Sequence, residues 1–231
     1  MAVTSSEARV GLKRRAAASS SVRVTEVFLS LQGEARAAGL PTVFVRLTGC
    51  PLRCHYCDTA YAFHGGERQS VDSLLQRIRD HGVADVCVTG GEPLAQPGAS
   101  LLIRSLCDAG FSVAVETSGV LNIDRADRRA SRIMDLKTPA SGELKRNDYG
   151  NIERLTGHDQ VKFVVCDRAD FDWACMQIRE HGLTDRCPVW LSPSHGQLEA
   201  AQLAEWLIDS RLPVRLQLQL HKQLWGNEPG R

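Results

Sequence analysis

The chain has 231 residues, a formal net charge of +1 and 43% hydrophobic residues. This length and composition are typical of a globular protein with a substantial core, and the near-neutral charge argues against a module that binds nucleic acid or a membrane surface through a basic face. No run approaches the ~20 apolar residues that a membrane-spanning helix needs. We therefore expect neither nucleic acid nor a membrane among its partners.

Residues 1–21 are rich in alanine, serine and basic side chains. This composition predicts a disordered N-terminal tail, with organelle targeting as the alternative, and residues 22–231 are predicted to form a single domain. Of the eight cysteines, five stand singly in apolar segments, which indicates buried free thiols rather than a secreted disulfide framework. A reducing, cytoplasmic location is the expectation.

Strands and helices alternate along most of the remaining chain. The patterns predict strands near residues 22–31, 42–49, 84–88, 111–116, 132–139, 160–165, 187–194 and 214–222, and helices near residues 70–82, 98–109, 171–178 and 197–209. This alternation implies right-handed crossovers and a parallel sheet. About six parallel strands are too few for a complete eight-stranded barrel, so the predicted fold is α/β, an open, partial (β/α) barrel.

Polar and glycine-containing turns follow most of these strands. They are CPLRC, TGGEP, ETSG, DLKTP, LSPS and HK, and the first strand ends in LQGE. In parallel α/β folds, ligands bind at the carboxyl ends of the strands. We therefore expect the turns after the parallel strands to meet at one site.

Three cysteines, Cys50, Cys54 and Cys57, share one short loop with the spacing C-x3-C-x2-C. Structural zinc usually takes four ligands, as two C-x2-C pairs or with histidines at fixed offsets. The loop has no second pair, and His55 sits between the ligands, where convergence on one tetrahedral metal is rare. A cubane [4Fe–4S] cluster held by three thiolates would leave one iron open. An iron-sulfur cluster is favoured, and a zinc-binding interaction module is the alternative.

The cysteine spacing, with Tyr56 before the last cysteine, resembles the signature of the radical S-adenosylmethionine (SAM) enzymes. TGGEP at Thr89 to Pro93 resembles their second motif. The resemblance implies one [4Fe–4S] cluster on Cys50, Cys54 and Cys57, with SAM bound to the open iron. Electron transfer to the sulfonium would then yield a 5′-deoxyadenosyl radical.

Finer motifs are similar to the 7-carboxy-7-deazaguanine synthase family. LQGE, FVRLTGC, CDT, TGGEP, DLKTP and LQLHK-x-x-W-G occur in this order between about Thr25 and Gly226. That family converts 6-carboxy-5,6,7,8-tetrahydropterin to 7-carboxy-7-deazaguanine with loss of ammonia, on the route to queuosine. The resemblance implies that the radical takes a hydrogen from C6 of the pterin and that the hydrogen is returned after ring contraction, so that SAM acts catalytically.

The resemblance also assigns site residues position by position. Thr59 matches the ligand of a magnesium ion on the substrate carboxylate, a role that suits a hard cation. SAM would contact Tyr56, Cys57, Asp58, Gly91, Asp135, Lys137, Ser192 and Pro193, with Glu116 as a further candidate for the ribose. The substrate would contact Leu31, Gln32, Gly33, Arg46, Thr89 and His221.

The chain departs from the family pattern at two positions, and another family of similar motifs is an alternative. Ala35 stands where a glycine commonly follows LQGE, and Ser192 stands where the family often has glutamine before the proline. The resemblance implies an electron donor such as flavodoxin or ferredoxin, and we expect a homodimer. A glycyl-radical-enzyme activase shares the cysteine spacing, but it would need an open, flat mouth rather than one small pocket that gathers Arg46, Thr89 and the LQGE turn.

Overall fold

The computed structural model describes residues 20–226, 228 and 230. Residues 1–19 of the predicted tail at 1–21 lie outside the described residues, and the first strand begins at Ser21. The division into a tail and a single domain at residues 22–231 stays a prediction. In the described part of the chain, no helix is long and apolar enough to cross a membrane.

Nine strands form one sheet among the described residues. The strands are β1 (Ser21–Leu31), β2 (Pro41–Leu47), β3 (Glu67–Ser70), β4 (Asp85–Gly90), β5 (Ser112–Thr117), β6 (Ser131–Asp135), β7 (Gln160–Val165), β8 (Val189–Pro193) and β9 (Arg215–Leu216). The helices are α1 (Val71–Arg79), α2 (Ala99–Asp108), α3 (Arg168–Glu180), α4 (Leu183–Arg186), α5 (Ala200–Ser210) and α6 (Leu220–Trp225). Short 3-10 helices at Ala60–Phe63, Pro93–Ala95, Ile123–Arg125, Pro139–Ser141, Leu144–Arg146 and Tyr149–Arg154 occupy several connections.

The sheet is parallel over most of its width. Its strand order is β3-β1-β2-β4-β5-β6-β7-β8-β9, and all pairs from β2 to β9 are parallel. Only β1 runs antiparallel to its neighbours. Because the edge strands β3 and β9 do not pair with each other, the predicted open, partial (β/α) barrel is confirmed. Its parallel part is slightly wider than the roughly six strands expected, since the short β9 extends it.

Local sequence explains the best-predicted elements. The central strands β2 and β4 are buried along almost their whole length, as expected for parallel strands covered on both faces. Helix α1 buries Val71, Leu74 and Ile78. The Ser70 hydroxyl accepts the Ser73 N–H at 3.2 Å, so the predicted serine cap begins this helix.

The C-terminal strand predicted at residues 214–222 is wrong after Leu216. Within the predicted segment, only β9 pairs with β8, and α6 follows. Alternating leucines suggested a strand, but Leu218 is 41% exposed, and the Leu220 N–H donates to the Gly33 carbonyl at 3.0 Å. A contact from a distant turn therefore replaces pairing with β8 beyond the Gln217 N–H, which still donates to the Leu191 carbonyl.

Strand β3 was not predicted, because its sequence ERQS carries no strand pattern. It forms by antiparallel pairing with the first residues of β1, from Ser21 opposite Ser70 to Val24 opposite Glu67. Strand propensity is strongly dependent on context. Here the partner strand, rather than the local sequence, decides the conformation.

Arg132 and Asp159 form a buried ion pair at the amino ends of β6 and β7. Both side chains are 1% exposed. Arg132 Nε donates to Asp159 Oδ1 at 2.8 Å and Nη2 donates to Oδ2 at 2.6 Å, while Thr156 donates twice to the same carboxylate. Arg132 Nη1 also contacts Asp124 at 3.2 Å. A satisfied network of this kind fixes the packing of the two strand starts.

Replacing Arg132 by methionine would leave the Asp159 carboxylate buried without its cation. Loss of one member of a buried pair costs about 3–5 kcal/mol, and we expect urea titrations of Arg132→Met to give that decrease in the free energy of unfolding. Arg128→Met is the matched control, because Arg128 is exposed and contacts the same Asp124. Its expected change is below about 0.5 kcal/mol. Equal changes in the two variants would contradict the assigned role of the pair.

The decrease in the free energy of unfolding caused by Arg132→Met should also depend on pH. Burial acts to raise the pKa of Asp159, but hydrogen bonds from Arg132 outweigh burial and hold this pKa below its ordinary value. A lowered folded-state pKa contributes stability above the unfolded pKa, and the contribution is lost as the pH falls through the folded pKa. In the variant the cation is lost, while the hydrogen bonds from Thr156 remain, so burial draws the pKa of Asp159 up from its wild-type position. The difference in unfolding free energy between the two proteins should therefore shrink as the pH falls from neutral to about pH 4 and below, and a growing difference would count against this account.

Candidate active site

One cavity of about 350 Å³ lies inside the barrel, where the parallel strands end. Every residue that the sequence assigned to the cluster, SAM, magnesium or the substrate lines it. These residues are Leu31, Gln32, Gly33, Arg46, Cys50, Cys54, Tyr56, Cys57, Asp58, Thr59, Thr89, Gly91, Asp135, Lys137, Ser192, Pro193 and His221. The structure brings the whole set together, while the role of each residue stays a prediction.

The three cysteines lie on the loop that follows β2. The Cys57 N–H donates to the Cys54 carbonyl at 3.2 Å. Burial raises the pKa of the Cys54 thiol to about 11 and raises the pKa of Cys50, and the neighbouring thiols add to both effects. The thiolate forms of Cys50 and Cys54 are therefore disfavoured in the protein alone. A cationic metal centre would favour these thiolate forms.

The described residues contain no ready-made site for a single metal ion, because no three of their Cys, His, Asp or Glu side chains converge closely enough to hold one. The cluster on the three thiols stays a prediction. His55, the fourth donor that a zinc site would need, instead has its Nδ1 3.2 Å from the Ala140 carbonyl oxygen.

The glycines of TGGEP let the end of β4 pack directly on the cysteine loop. A Cβ atom on Gly91 would lie 2.4 Å from the Gly49 carbonyl oxygen and 2.7 Å from Cys50 Cβ. The Gly91 N–H donates to the Leu47 carbonyl at 3.1 Å, and the Glu92 N–H donates to the Gly49 carbonyl at 2.9 Å. Any side chain at position 91 would displace the loop that carries the cysteines.

Glu92 joins the ends of β4 and β5 behind the cavity. Its side chain is fully buried. Its Oε1 accepts the Thr117 hydroxyl at 2.9 Å, and its Oε2 accepts the Ser118 N–H at 2.8 Å. No role was predicted for Glu92, although its place directly after the glycine pair is visible in the sequence.

Asp135, Lys137 and Tyr56 form a polar group on the cavity wall. Lys137 Nζ lies 2.9 Å from Asp135 Oδ2 and 5.7 Å from the centre of the Tyr56 ring. Burial lowers the pKa of Lys137, but Asp135 and Tyr56 outweigh burial and hold this pKa above its ordinary value. Asp135 Oδ1 is buried and finds no hydrogen-bond partner among the described residues. A buried acceptor without a partner, such as Asp135 Oδ1, suits a ligand that brings a hydroxyl or amino donor.

Arg46 is held at the cavity by neighbours from β1 and from the cysteine loop. Its Nε lies 2.6 Å from Glu26 Oε1, and the Tyr61 hydroxyl donates to the same oxygen at 2.8 Å. Burial lowers the pKa of Arg46, but Tyr61 and Glu26 outweigh it and raise this pKa. No sequence motif points to Glu26, which stands opposite Arg46 only because β1 pairs with β2.

The LQGE turn forms the floor of the cavity. Because β1 is antiparallel to β2, its last residue Leu31 pairs with Pro41 at the start of β2, so the turn enters from the opposite end of the barrel. The Glu34 carboxylate contacts the Lys162 ammonium on β7 and accepts the Gln219 side-chain N–H at 2.8 Å. No sequence pattern predicts which residue Lys162 meets, although a lysine inside the apolar strand QVKFVV is a signal of a polar contact.

The Lys162 ammonium affects the pKa values of two neighbouring carboxyl groups, Glu34 and Glu116. Burial raises the pKa of Glu34, but Lys162 outweighs burial and holds this pKa below its ordinary value. Burial also raises the pKa of Glu116, and Lys162 offsets that effect only in part. The Thr89 hydroxyl donates to Glu116 at 2.9 Å. The floor therefore carries a charged carboxylate, a charged ammonium and a second carboxyl group that binds a proton more readily than usual.

Gly33 lies against the C-terminal helix α6. A Cβ atom on Gly33 would lie 2.2 Å from Nδ1 of His221. Burial lowers the pKa of His221, which favours a neutral ring near neutral pH. The residue was expected on a strand, but α6 presents it to the same cavity.

The family comparisons agree with this geometry. Residues 44–139 match the model of the Radical SAM superfamily. The 7-carboxy-7-deazaguanine synthase of Chlorobaculum tepidum is 42% identical over 208 residues, which cover 89% of this chain and 94% of the relative. The synthase of Koribacter versatilis is 38% identical over 224 residues, covering 90% and 98%. The crystal structure of QueE from Escherichia coli superimposes with a TM-score of 0.71 at 25% identity and covers 87% of this chain and 95% of that chain.

The partial barrel and its three-cysteine loop define a radical SAM protein. Within that superfamily, the chain belongs to the 7-carboxy-7-deazaguanine synthase family. The predicted resemblance is thus confirmed. Arg46, Thr89 and the LQGE turn line one cavity, as a small-molecule enzyme requires and as a glycyl-radical-enzyme activase would not.

The Gly33→Ala variant tests the contact between the floor and α6. The added methyl group would overlap His221, so the ring must leave its position, and we expect kcat/KM for the pterin to fall about tenfold or more. SAM cleavage without the pterin should stay unchanged, because the cysteine loop is not touched.

Gly157→Ala is the matched control for this substitution. The nearest atom to its added Cβ would be 3.9 Å away, which is an ordinary contact. Its kcat/KM should stay within about twofold of wild type. Equal activity of the two alanine variants would contradict the importance of the contact between Gly33 and His221.

Proposed function

We propose that this chain converts 6-carboxy-5,6,7,8-tetrahydropterin to 7-carboxy-7-deazaguanine with release of ammonia, as a radical SAM lyase on the route to queuosine. One observation carries the proposal: three thiols and a charged polar floor face the same cavity from different sides. A site that only bound zinc would not need the floor. A site that acted on a protein would not need Arg46, Thr89 and the LQGE turn around one cavity.

Cys50, Cys54 and Cys57 would hold one [4Fe–4S] cluster and leave its fourth iron for SAM. When bound, the cluster and SAM supply a 5′-deoxyadenosyl radical that can take the hydrogen from C6 of the pterin. The chain itself would hold the reacting groups in register. The raised pKa values of Cys50 and Cys54 imply that these thiols lose their protons when the metal binds.

SAM would lie along the wall formed by the ends of β4, β6 and β8. The residues assigned to it are Tyr56, Cys57, Asp58, Gly91, Asp135, Lys137, Ser192 and Pro193. The unmet acceptor Asp135 Oδ1 supports the nucleoside end of this assignment, because ribose hydroxyls can donate to it. At Gly91, the absent side chain leaves the main chain open to the methionine part.

The pterin would lie between the cluster and the floor. The residues assigned to it are Leu31, Gln32, Gly33, Arg46, Thr89 and His221. The salt bridge of Arg46 to Glu26 uses Nε, which orients the guanidinium fork for the substrate carboxylate. The main-chain and amide groups of the LQGE turn can pair with the donors and acceptors along the edge of the pterin ring.

Thr59 would bind a magnesium ion that also holds the substrate carboxylate. Its Oγ1 lies 3.7 Å from Cys57 Sγ and faces the cavity, next to Asp58. Magnesium retains several water ligands and needs few protein oxygens. A single hydroxyl together with the substrate carboxylate is therefore a sufficient donor set.

The remaining expectations concern partners and location. A reduced flavodoxin or ferredoxin would supply the electron to the cluster, and the chain would act as a homodimer in the cytoplasm. The near-neutral net charge supports a small-molecule substrate rather than a nucleic acid.

Anaerobic incubation of the reconstituted protein with reductant, SAM, magnesium and the carboxylated tetrahydropterin tests the proposed function. We expect 7-carboxy-7-deazaguanine and ammonia in equal amounts, with SAM regenerated, and a lower rate when magnesium is left out. Cys54→Ala should lose iron and lower the rate about a thousandfold or more. Cys107→Ala is the matched control, because Cys107 is equally half-buried but lies outside the cavity.

The possible outcomes test the substrate, the cluster and the cysteine ligands separately. Cleavage of SAM without formation of the deazaguanine would reject the substrate assignment and leave the superfamily intact. A colourless protein that contains zinc in place of iron would reject the cluster as well. Equal loss of iron in the two cysteine variants would reject the assigned ligands.

A further inference from the structure

Three hydrogen bonds join the LQGE turn to the start of α6, and we call this set of contacts between residues 33–35 and 217–220 the latch. The Leu220 N–H donates to the Gly33 carbonyl at 3.0 Å. The Gln219 side chain donates to Glu34 at 2.8 Å, and the Ala35 N–H donates to Gln217 Oε1 at 2.5 Å. The latch ties the cavity floor to a segment that is remote in sequence.

Ala35 holds a backbone conformation that alanine rarely adopts. Its φ is +62°, in the left-handed region where a Cβ atom is unfavourable, and the residue is only 4% exposed. Such strain persists only where the surroundings determine the conformation. A glycine at this position would adopt the same φ without support, so alanine makes the turn dependent on its contacts.

Gln217 supplies that support from a fixed point of the sheet. Its own N–H donates to the Leu191 carbonyl of β8 at 2.9 Å, and its side chain is 5% exposed. The side-chain Nε2 is buried and has no hydrogen-bond partner among the described residues. Because an unmet buried donor is unfavourable, the contact of Oε1 with Ala35 is the interaction that accounts for a glutamine here.

We propose that Gln217 is a positioning residue for the substrate-binding floor. Its amide oxygen holds the Ala35 N–H, stabilises the left-handed turn and so places Gly33 against His221 and Glu34 against Lys162. Gln217 does not line the cavity and therefore acts through the turn. The inference rests on the proposed function, which assigns this turn to the pterin.

A double-mutant cycle of Gln217→Met and Ala35→Gly tests the role of Gln217. Methionine keeps the length of glutamine but removes the acceptor, and glycine removes the strain of the left-handed conformation while keeping the N–H. In the Ala35 enzyme, Gln217→Met should raise KM for the pterin about tenfold and leave kcat within about twofold, since one hydrogen bond to the turn is lost. In the Ala35→Gly background, the same change should raise KM by a clearly smaller factor relative to its parent, because the turn no longer needs the bond to hold a strained residue.

Gln223→Met is the matched control on α6. Gln223 is exposed, so the same chemical change should leave KM within about twofold of wild type. SAM cleavage in the absence of the pterin should be equal in all variants, because the latch does not touch the cysteine loop. Melting temperatures of the four proteins of the cycle provide a readout that needs no substrate.

The possible results separate this inference from the proposed function. Equal increases of KM in both backgrounds, or no increase in either, would overturn the role of Gln217. If wild-type protein forms no product, the proposed function fails, and the melting temperatures then test the latch alone. A larger fall in melting temperature on Gln217→Met in the Ala35 protein than in the Ala35→Gly protein supports the latch, and equal falls reject it.

Discussion

The close main-chain approach between the cysteine loop and the TGGEP turn is the contact on which the site depends. It brings the Gly91 backbone so near to Gly49 and Cys50 that no Cβ atom fits between them. The loop has little regular structure of its own, so the end of β4 fixes where its thiols stand. Glu92 then extends this support to the end of β5 through hydrogen bonds from Thr117 and Ser118.

The cavity receives its two functional surfaces from opposite ends of the barrel. The parallel strands bring the cysteine loop and the wall assigned to SAM to their carboxyl ends, as in other α/β folds. The antiparallel β1 delivers the LQGE turn from the other end, where Glu34 contacts Lys162. In the proposed reaction, a radical formed on one side would meet a substrate held by the polar groups on the other.

Stability and function depend on different contacts within the barrel. The buried pair of Arg132 and Asp159 lies at the amino ends of β6 and β7, outside the cavity lining, where it secures the strand starts. The strained conformation of Ala35 lies at the floor. Strain of this kind is found where surrounding contacts hold a functional turn in place, and here the latch provides those contacts.

The sequence by itself determined the alternating α/β plan, the cluster loop and the TGGEP turn, because each depends on short spacings and local patterns. Only the tertiary structure decided that α6 replaces most of the last predicted strand, that Lys162 faces Glu34, and that Gln217 supports Ala35. These contacts join residues far apart in the chain. No local pattern specifies which distant groups will meet, because that is set by strand order, by the direction of β1 and by the packing of α6 on the floor.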